Sequence, residues 1–405
     1  MYLEVLHDNS TSSKYDLKKE DFYDAKLRNH LGYIGSSKKE TNALNIIQAY
    51  YSDSKAILFD HTNKLIVQKL QALSIPPFKE TSSCQTLFDN QDFSLMFFTS
   101  GSTGNPVGAL KKKHHLEEEI KVLSKLFEPY NIKKVIVTVP FIHIYGTLMG
   151  LLYPLFNNIP IVLKEHFLPY DLLNLIDDNT LIVTTPLYIQ ALNKISNGKN
   201  LNHSIFVSST APLAHQEAKL FSEKFQTKVF QLFGSTETGG IAYKLNDEIL
   251  WTPLQKVTIS VNENKELKVT SPFVSDILYE NEFRSINGQL QTFDYIEQLK
   301  HQFKLIGRSS QILKIAGKRY STIQIEDILE RQEGITKAMV FVNDTQNSHS
   351  LRTESLNITL ESFKSYSTKE IKKILQENLS NLKFSICLKI VDKIPTSSVG
   401  KKLKI

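Results

Sequence analysis

The chain has 405 residues, 41% of them hydrophobic and 22% charged, enough to bury a large core and too long for one small domain, so two or three units are expected. A formal net charge of +6 is mild; it gives no ground for a nucleic-acid partner and reads as a lysine-rich solvated surface that would also tolerate a nucleotide or an acidic carrier protein. Cys84 and Cys387 stand far apart with no metal-ligand spacing, and a reducing cytoplasm is expected.

Met1 to Ser10 contains Glu4 and Asp8 and no uninterrupted apolar core, so no secretory signal is expected, and no stretch reaches the roughly 18 apolar residues of a membrane span. An apolar segment, Phe93 to Phe98, runs into Thr99-Ser100-Gly101-Ser102-Thr103-Gly104-Asn105-Pro106, and a helical segment comes next. Small residues let backbone N–H groups approach phosphate oxygens and hydroxyls add donors, although such clusters are also ordinary solvated turns. Lys111, Lys112 and Lys113 read as solvated charges of the adjoining helix. Ile142 to Leu155, interrupted by Tyr, Gly, Thr and Pro, reads as a buried helix.

Between Lys133 and Ser235 short β-branched runs alternate with helical patterns. Val135–Val139, Ile159–Leu163, Leu181–Thr185, Ile205–Val207 and Lys228–Gln231 read as strands, and Pro212 to Phe225 as a helix. This alternation predicts α/β layers around largely parallel, buried strands. From Leu250 to Phe273 the period changes to two, predicting a small antiparallel β region. After Gly307-Arg308 come a helix (Ile323 to Glu333), strands near Ala338–Val342 and Leu356–Leu360, and a helix opened by the capping box Ser367-Thr-Lys-Glu370. A last strand is Ile386 to Val391. The expected architecture is a large N-terminal α/β domain of layered subdomains with a small β region (1–307) and a small C-terminal α+β lid (308–405).

Three further motifs stand downstream: Phe233-Gly234-Ser235-Thr236-Glu237-Thr238, Phe293-Asp294, and Pro395-Thr-Ser-Ser-Val-Gly400-Lys401. In isolation Gly-Ser-Thr-Glu is also a helix N-cap with a first-turn acid. Together with the hydroxyl loop, their order resembles the adenylate-forming superfamily of acyl-CoA synthetases, nonribosomal adenylation domains and beetle luciferase. Within it the chain looks most like short bacterial acyl or aryl ligases of the aryl polyene or fatty-acid-like type, with a segment before the loop shorter than most members have.

The resemblance implies an ATP- and Mg²⁺-dependent carboxylate ligase that forms an acyl- or aryl-adenylate and then a thioester with CoA or a carrier-protein phosphopantetheine. It implies that Thr99, Ser100, Gly101, Ser102, Thr103 and Gly104 wrap the β- and γ-phosphates. Phe233 would stack on adenine, with Gly234, Ala211 and Pro212 passing close to the nucleotide. Thr236 would contact the α-phosphate, Glu237 would hold the metal, Asp294 would accept the ribose hydroxyls, and Arg308 would lie beside ribose and hinge. Lys401 would bridge carboxylate and α-phosphate, countering charge that builds in the transition state. His143, in Pro140-x-x-His143-x-x-Gly146, would border the acid with Tyr145 and Ser209, while Lys314 and Gly317 would face the site in the thiol-transfer state. Two departures stand out: Val107 replaces the usual loop lysine, and Ser310 the usual hinge aspartate. An adenylating enzyme without a thiol acceptor, and a degenerate nucleotide-binding module, stay open alternatives. For the acid itself, Ile142, Tyr145, Tyr188, Ile241 and Tyr243 suggest an apolar pocket, though any core would use the same residues.

Overall fold

The computed structural model describes residues 1–8, 10–80, 85–99, 106–195, 198–308, 312–315, 318–342, 355–379 and 385–395. By internal packing the chain divides into two compact units, Met1–Ser260 with Lys268–Leu290, and Val261–Leu267 with Gln291–Ile405.

The first unit begins with β1 (Tyr2–Leu6), β2 (Ser12–Asp16), β3 (Leu31–Ile34), β4 (Lys55–Leu58), β5 (Leu95–Thr99), β6 (Val107–Lys111) and β7 (Lys134–Val137). It continues with β8 (Ile161–Lys164), β9 (Thr180–Thr184), β10 (Ile205–Ser208), β11 (Lys228–Ser235), β12 (Gly239–Leu245) and β13 (Thr252–Pro253). One sheet has the order β13-β12-β11-β10-β9-β7-β8-β1-β2, and its centre, β8 through β11, pairs in parallel. These are the five runs that the sequence marks as strands. Alternate residues feed two cores. Val135, Val137, Leu181, Val183, Ile205 and Val207 pack on one side against helices Lys39–Tyr51 and Lys113–Phe127. Ile136, Ile182 and Phe206 pack on the other against Phe221 and Phe225 of helix His215–Phe225. Helices on both faces explain why the strands read as continuous apolar runs.

The expected buried helix is present. Ile144–Thr147, a π-helical turn Leu148–Leu152 and Tyr153–Phe156 run on continuously, with Leu148 to Leu152 buried. Pro154 can donate no bond to the Gly150 carbonyl, and the wide turn sits directly ahead of it.

After β14 (Thr258–Val261) and β15 (Glu266–Thr270) come β16 (Ile277–Tyr279) and β17 (Phe283–Ser285). The last two complete a second sheet, β17-β16-β6-β5-β4-β3. In it β3, β4 and β5 are parallel, and β6 returns antiparallel to β5 from Thr99↔Val107 to Leu95↔Lys111. The aromatic rings of Phe88, Tyr279 and Phe283 meet edge to face behind this sheet, at 4.9 and 5.3 Å from Phe88.

In the second unit β18 (Gln289–Leu299) pairs antiparallel with β19 (Gln302–Arg308), and β20 (Ile312–Ile315) with β21 (Lys318–Ser321). Then β22 (Ile335–Val342), β23 (Ser355–Ser362) and β24 (Ser385–Val391) form one sheet, β22–β23 antiparallel and β23–β24 parallel. Helices Thr322–Glu330 and Thr368–Asn378 bury Ile325, Leu329, Ile371 and Leu375 among Leu356, Ile358 and Leu360. The Ser367/Glu370 capping box is formed in both directions. The compact division falls ahead of the residue 308 boundary because most of the β18–β19 hairpin packs with the second unit. Among the described residues, no helix is long and apolar enough to cross a membrane.

Candidate active site

The hydroxyl loop falls in sequence between the antiparallel strands β5 and β6. Thr99 and Val107 are the last registered pair before it, and Ser100, Gly101, Ser102, Thr103 and Gly104 lie outside the described residues. Val107 is half-buried at the start of β6.

The Phe233–Thr238 motif is a hairpin, not a helix start. β11 ends at Ser235, Thr236-Glu237-Thr238 turn, and β12 begins at Gly239. Hydroxyls hold the turn: the Ser235 N–H donates to Thr238 Oγ1 (3.1 Å), the Thr238 N–H donates to Ser235 Oγ (3.2 Å), and the Thr238 hydroxyl donates to the Gly239 carbonyl (2.8 Å). A bulge between Phe233 and Gly234 shifts the register, a device that re-aims side chains beside functional sites. Phe233 lies 5.5 Å, ring to ring, from Trp251, and the Lys244 ammonium stands 4.9 Å from the same indole. Thr236 and Glu237 are half-buried. Glu237 offers one hard carboxylate donor, which fits an ion that takes its other ligands from a triphosphate and water.

Behind the turn the three lysines depart from expectation. Lys111 is 1% exposed at the end of β6, and its Nζ donates to the carbonyls of Phe273 (2.6 Å) and Glu237 (3.1 Å). Lys112 is paired with Asp276 (3.1 Å) and Asp92 (3.2 Å). Lys113 bonds Asp53 at 2.5 Å and sits 4.5 Å over the Tyr50 ring. Only Lys113 belongs to the helix; the charged run conceals the end of a buried strand. Glu119, which no sequence motif marks, is 4% exposed and accepts the Gly240 N–H at 2.7 Å. Burial lowers the Lys111 pKa and raises that of Glu119, and the opposite charge of each works against the shift of the other. His114, His115 and Asp276 form the one group of three that could hold a metal ion among the described residues. There, however, the Asp276 carboxylate is paired with Lys112 and His115 Nδ1 accepts the Lys112 N–H (3.1 Å).

At the end of β10, Ser209 Oγ donates to the Leu232 carbonyl (2.9 Å), tying this segment to β11. Thr210 has φ +79, a strained conformation for a β-branched residue. The hydroxyls of Ser208 and Thr210 are buried with no hydrogen-bond partner among the described residues. Ala211 is half-buried and Pro212 exposed. Orphaned hydroxyls beside a strained turn fit a segment built to meet a polar ligand.

His143 is the half-buried N-cap residue of the buried helix. Tyr145 is 9% exposed, and its hydroxyl donates to the carbonyls of Val207 (2.6 Å) and Thr184 (3.0 Å). With that hydroxyl turned to backbone, Tyr145 has mainly ring surface to offer a substrate. Of the five residues suggested as a pocket, Tyr145 and Tyr243 pack with one core and Tyr188 with another. Tyr145 packs in the core on one face of the large sheet, while Tyr188 packs in the core on the other face, its hydroxyl on the Phe167 carbonyl (3.1 Å).

In the second unit Asp294 stands opposite Arg308 in the β18–β19 register. Asp294 is 5% exposed, and its Oδ1 accepts from Arg308 Nε at 3.0 Å. Lys314 lies on β20 opposite Arg319. Gly317 and Lys401 lie outside the described residues.

A family model described as AMP-binding enzyme matches residues 36–273, a range that contains both the hydroxyl loop and the Thr236–Glu237 turn. The chain belongs to this family of AMP-binding enzymes. It is 22% identical over 314 residues to a 3,4-dihydroxybenzoate–[aryl-carrier protein] ligase of Bacillus anthracis, covering 76% of this chain and 72% of the relative. It is 23% identical over 247 residues to a 4-coumarate–CoA ligase of Cereibacter sphaeroides, covering 60% of this chain and 55% of that one. Among solved structures, ATP-bound MatB from Rhodopseudomonas palustris superposes with a TM-score of 0.81 at 15% identity, over 99% of this chain and 93% of its own. MenE from Bacillus subtilis, in complex with ATP and a magnesium ion, has a TM-score of 0.78 at 15% identity, over 98% of this chain and 94% of its own. At such identities these likenesses establish the fold.

Proposed function

We propose that the protein is an AMP-forming acid–thiol ligase, which joins a small carboxylic acid to ATP as an acyl- or aryl-adenylate and then transfers the acyl group to a thiol. The observation that carries this reading is the Thr236–Glu237 turn, set between two strands and braced from behind, inside the segment that the AMP-binding family model matches. A carboxylate is already a nucleophile at neutral pH, so no general base is needed. Thr99 to Gly104 would hold the terminal phosphates, Phe233 the adenine, Ala211 and Pro212 its edge, Asp294 and Arg308 the ribose, and Thr236 the α-phosphate. Glu237 would hold Mg²⁺, which when bound offsets triphosphate charge. Lys401 would balance charge at the reacting phosphorus, and His143 and Ser209 would border the acid.

The lid of this reading spans residues 308–405, whose rotation would withdraw Lys401 and bring Lys314 and Gly317 to the thiol-transfer state. The acceptor is CoA or a carrier-protein phosphopantetheine; the curated relatives include one enzyme named for each kind. A cytoplasmic setting belongs to the same reading.

The test is acid-dependent pyrophosphate release with Mg-ATP and hydroxylamine as trap, across aryl, cinnamic-type and medium-chain acids, for wild type and Lys401→Ala. The expected result is release with one acid class and loss of at least a hundredfold in the variant, while thiol attack on preformed adenylate continues. ATP binding without release for any acid would favour the degenerate module. Adenylate without thioester, across CoA and holo carrier proteins, would favour the thiol-free enzyme.

A further inference from the structure

Two buried charges converge on the turn that carries Glu237, and neither belongs to the motif itself. Lys111 reaches it from β6, the strand that leaves the hydroxyl loop. It donates to the backbone carbonyl of Glu237 (3.1 Å), which also accepts the Ser275 N–H (2.9 Å), and to that of Phe273 (2.6 Å). Glu119 reaches the other root of the turn from helix Lys113–Phe127 and accepts the Gly240 N–H at 2.7 Å.

The backbone there is shaped around the Glu119 carboxylate. Gly239 has φ +72, and a Cβ on it would stand 2.4 Å from Glu119 Oε2; one on Gly240 would stand 2.9 Å from Oε1. A side chain at either position would collide with the brace. Packing alone does not call for charge at this place, because apolar residues of equal volume fill a core at lower desolvation cost than two buried charges. What the charges add is direction: an ammonium fixes two carbonyls and a carboxylate fixes one N–H, which together leave the turn one position.

We propose that Lys111 and Glu119 are positioning residues of the adenylation site, a buried ionic brace that holds the Thr236–Glu237 turn so that the Glu237 carboxylate meets the metal–nucleotide complex. The proposal rests on the reading of Glu237 as the metal-binding residue. The brace joins the two parts of the site by one strand: β6 begins at the end of the hydroxyl loop and ends on the Glu237 carbonyl.

The test compares Lys111→Met, Glu119→Gln, the double variant and Glu237→Gln with wild type. One readout is the Mg²⁺ concentration for half-maximal acid-dependent pyrophosphate release at fixed ATP, with the KM for the acid measured alongside. A second, which requires no turnover, is Mn²⁺ binding in the presence of ATP, followed by electron paramagnetic resonance. Lys111→Met is expected to raise half-saturation for both ions by about tenfold, the usual effect of losing a group that orients a ligand, with the acid KM unchanged. Glu119→Gln keeps an acceptor for the Gly240 N–H and should fall between Lys111→Met and wild type. A purely structural role would lower the amount of active protein and leave both half-saturations in place. Should Lys111→Met fail to fold, the double variant, which buries no unpaired charge, carries the same expectation. Wild-type half-saturation in a folded Lys111→Met or double variant, beside a shifted Glu237→Gln, would overturn the brace alone. Wild-type metal dependence in Glu237→Gln would overturn the reading of Glu237 and the brace with it.

Discussion

A single methyl group tests how tightly the segment ahead of the buried helix is folded. A Cβ on Gly146 would stand 2.0 Å from the Pro140 carbonyl oxygen, so the last residue of the Pro-x-x-His-x-x-Gly motif is glycine because backbone crosses it. Gly146→Ala should cost about 3 kcal/mol, at the upper end of overpacking penalties, read as a lower urea midpoint. His115 makes a pH-dependent contribution. Burial first, then the Lys111 and His114 charges, push its pKa down to about 4 from the ordinary histidine value of 6.5, against the pull of Asp276, itself paired with Lys112. As pH falls the unfolded chain therefore takes up this proton before the folded chain does. The stabilisation is full above 6.5 and is lost progressively toward 4. Water on the Asp276 side holds it to on the order of 2 kcal/mol. His115→Gln, which can still accept the Lys112 N–H, should flatten the fall in urea midpoint between neutral pH and about 4.5. At this scale the sequence is readable where the hydrogen bonds that set a residue's place are local, as with Ser367 and Glu370. It misleads where charge suggests solvent: Lys111 precedes two more lysines and two histidines, and nothing local shows that its strand ends under another loop.

Elements are more legible than residues. The five parallel strands stand out because their central positions are buried on both faces, so most positions are apolar and the runs contrast with their surroundings. The capping box is legible because its hydrogen bonds are local. Ser367→Ala should cost about 1 kcal/mol, seen as a lower unfolding temperature of the full chain. Helix starts are less so: the stretch that reads as helical from Pro212 begins at His215, after the strained turn at Thr210. The Gly-Ser-Thr-Glu motif also suits a helix N-cap, but Thr236 to Thr238 turn the chain and Gly239, at positive φ, begins the return strand of a hairpin. Of the tyrosines suggested for the acid pocket, Tyr188 stands apart from Tyr145 because the two lie on helices packed against opposite faces of one sheet, a separation that no local pattern records.

At the scale of the whole chain, the succession of α/β layers and then an α+β unit is visible in the order of periodicities, while the compact boundary is displaced by the β18–β19 hairpin, which packs with the second unit. The two units have separate apolar cores, one centred on the large parallel sheet and one on Ile358 and Leu360. Calorimetry without nucleotide should therefore give a calorimetric enthalpy larger than the van 't Hoff enthalpy; equality of the two would mean that the units unfold as one.

The five-residue strand between hydroxyl loop and brace has a consequence for descent. Side chains alternate along a strand, so one inserted or deleted residue within Val107–Lys111 would turn the lysine to the opposite face and seat a neighbour under Glu237. Lineages carrying this lysine should hold the interval to the loop at constant length while the loops around it drift, which makes length here as strict a signature as any letter.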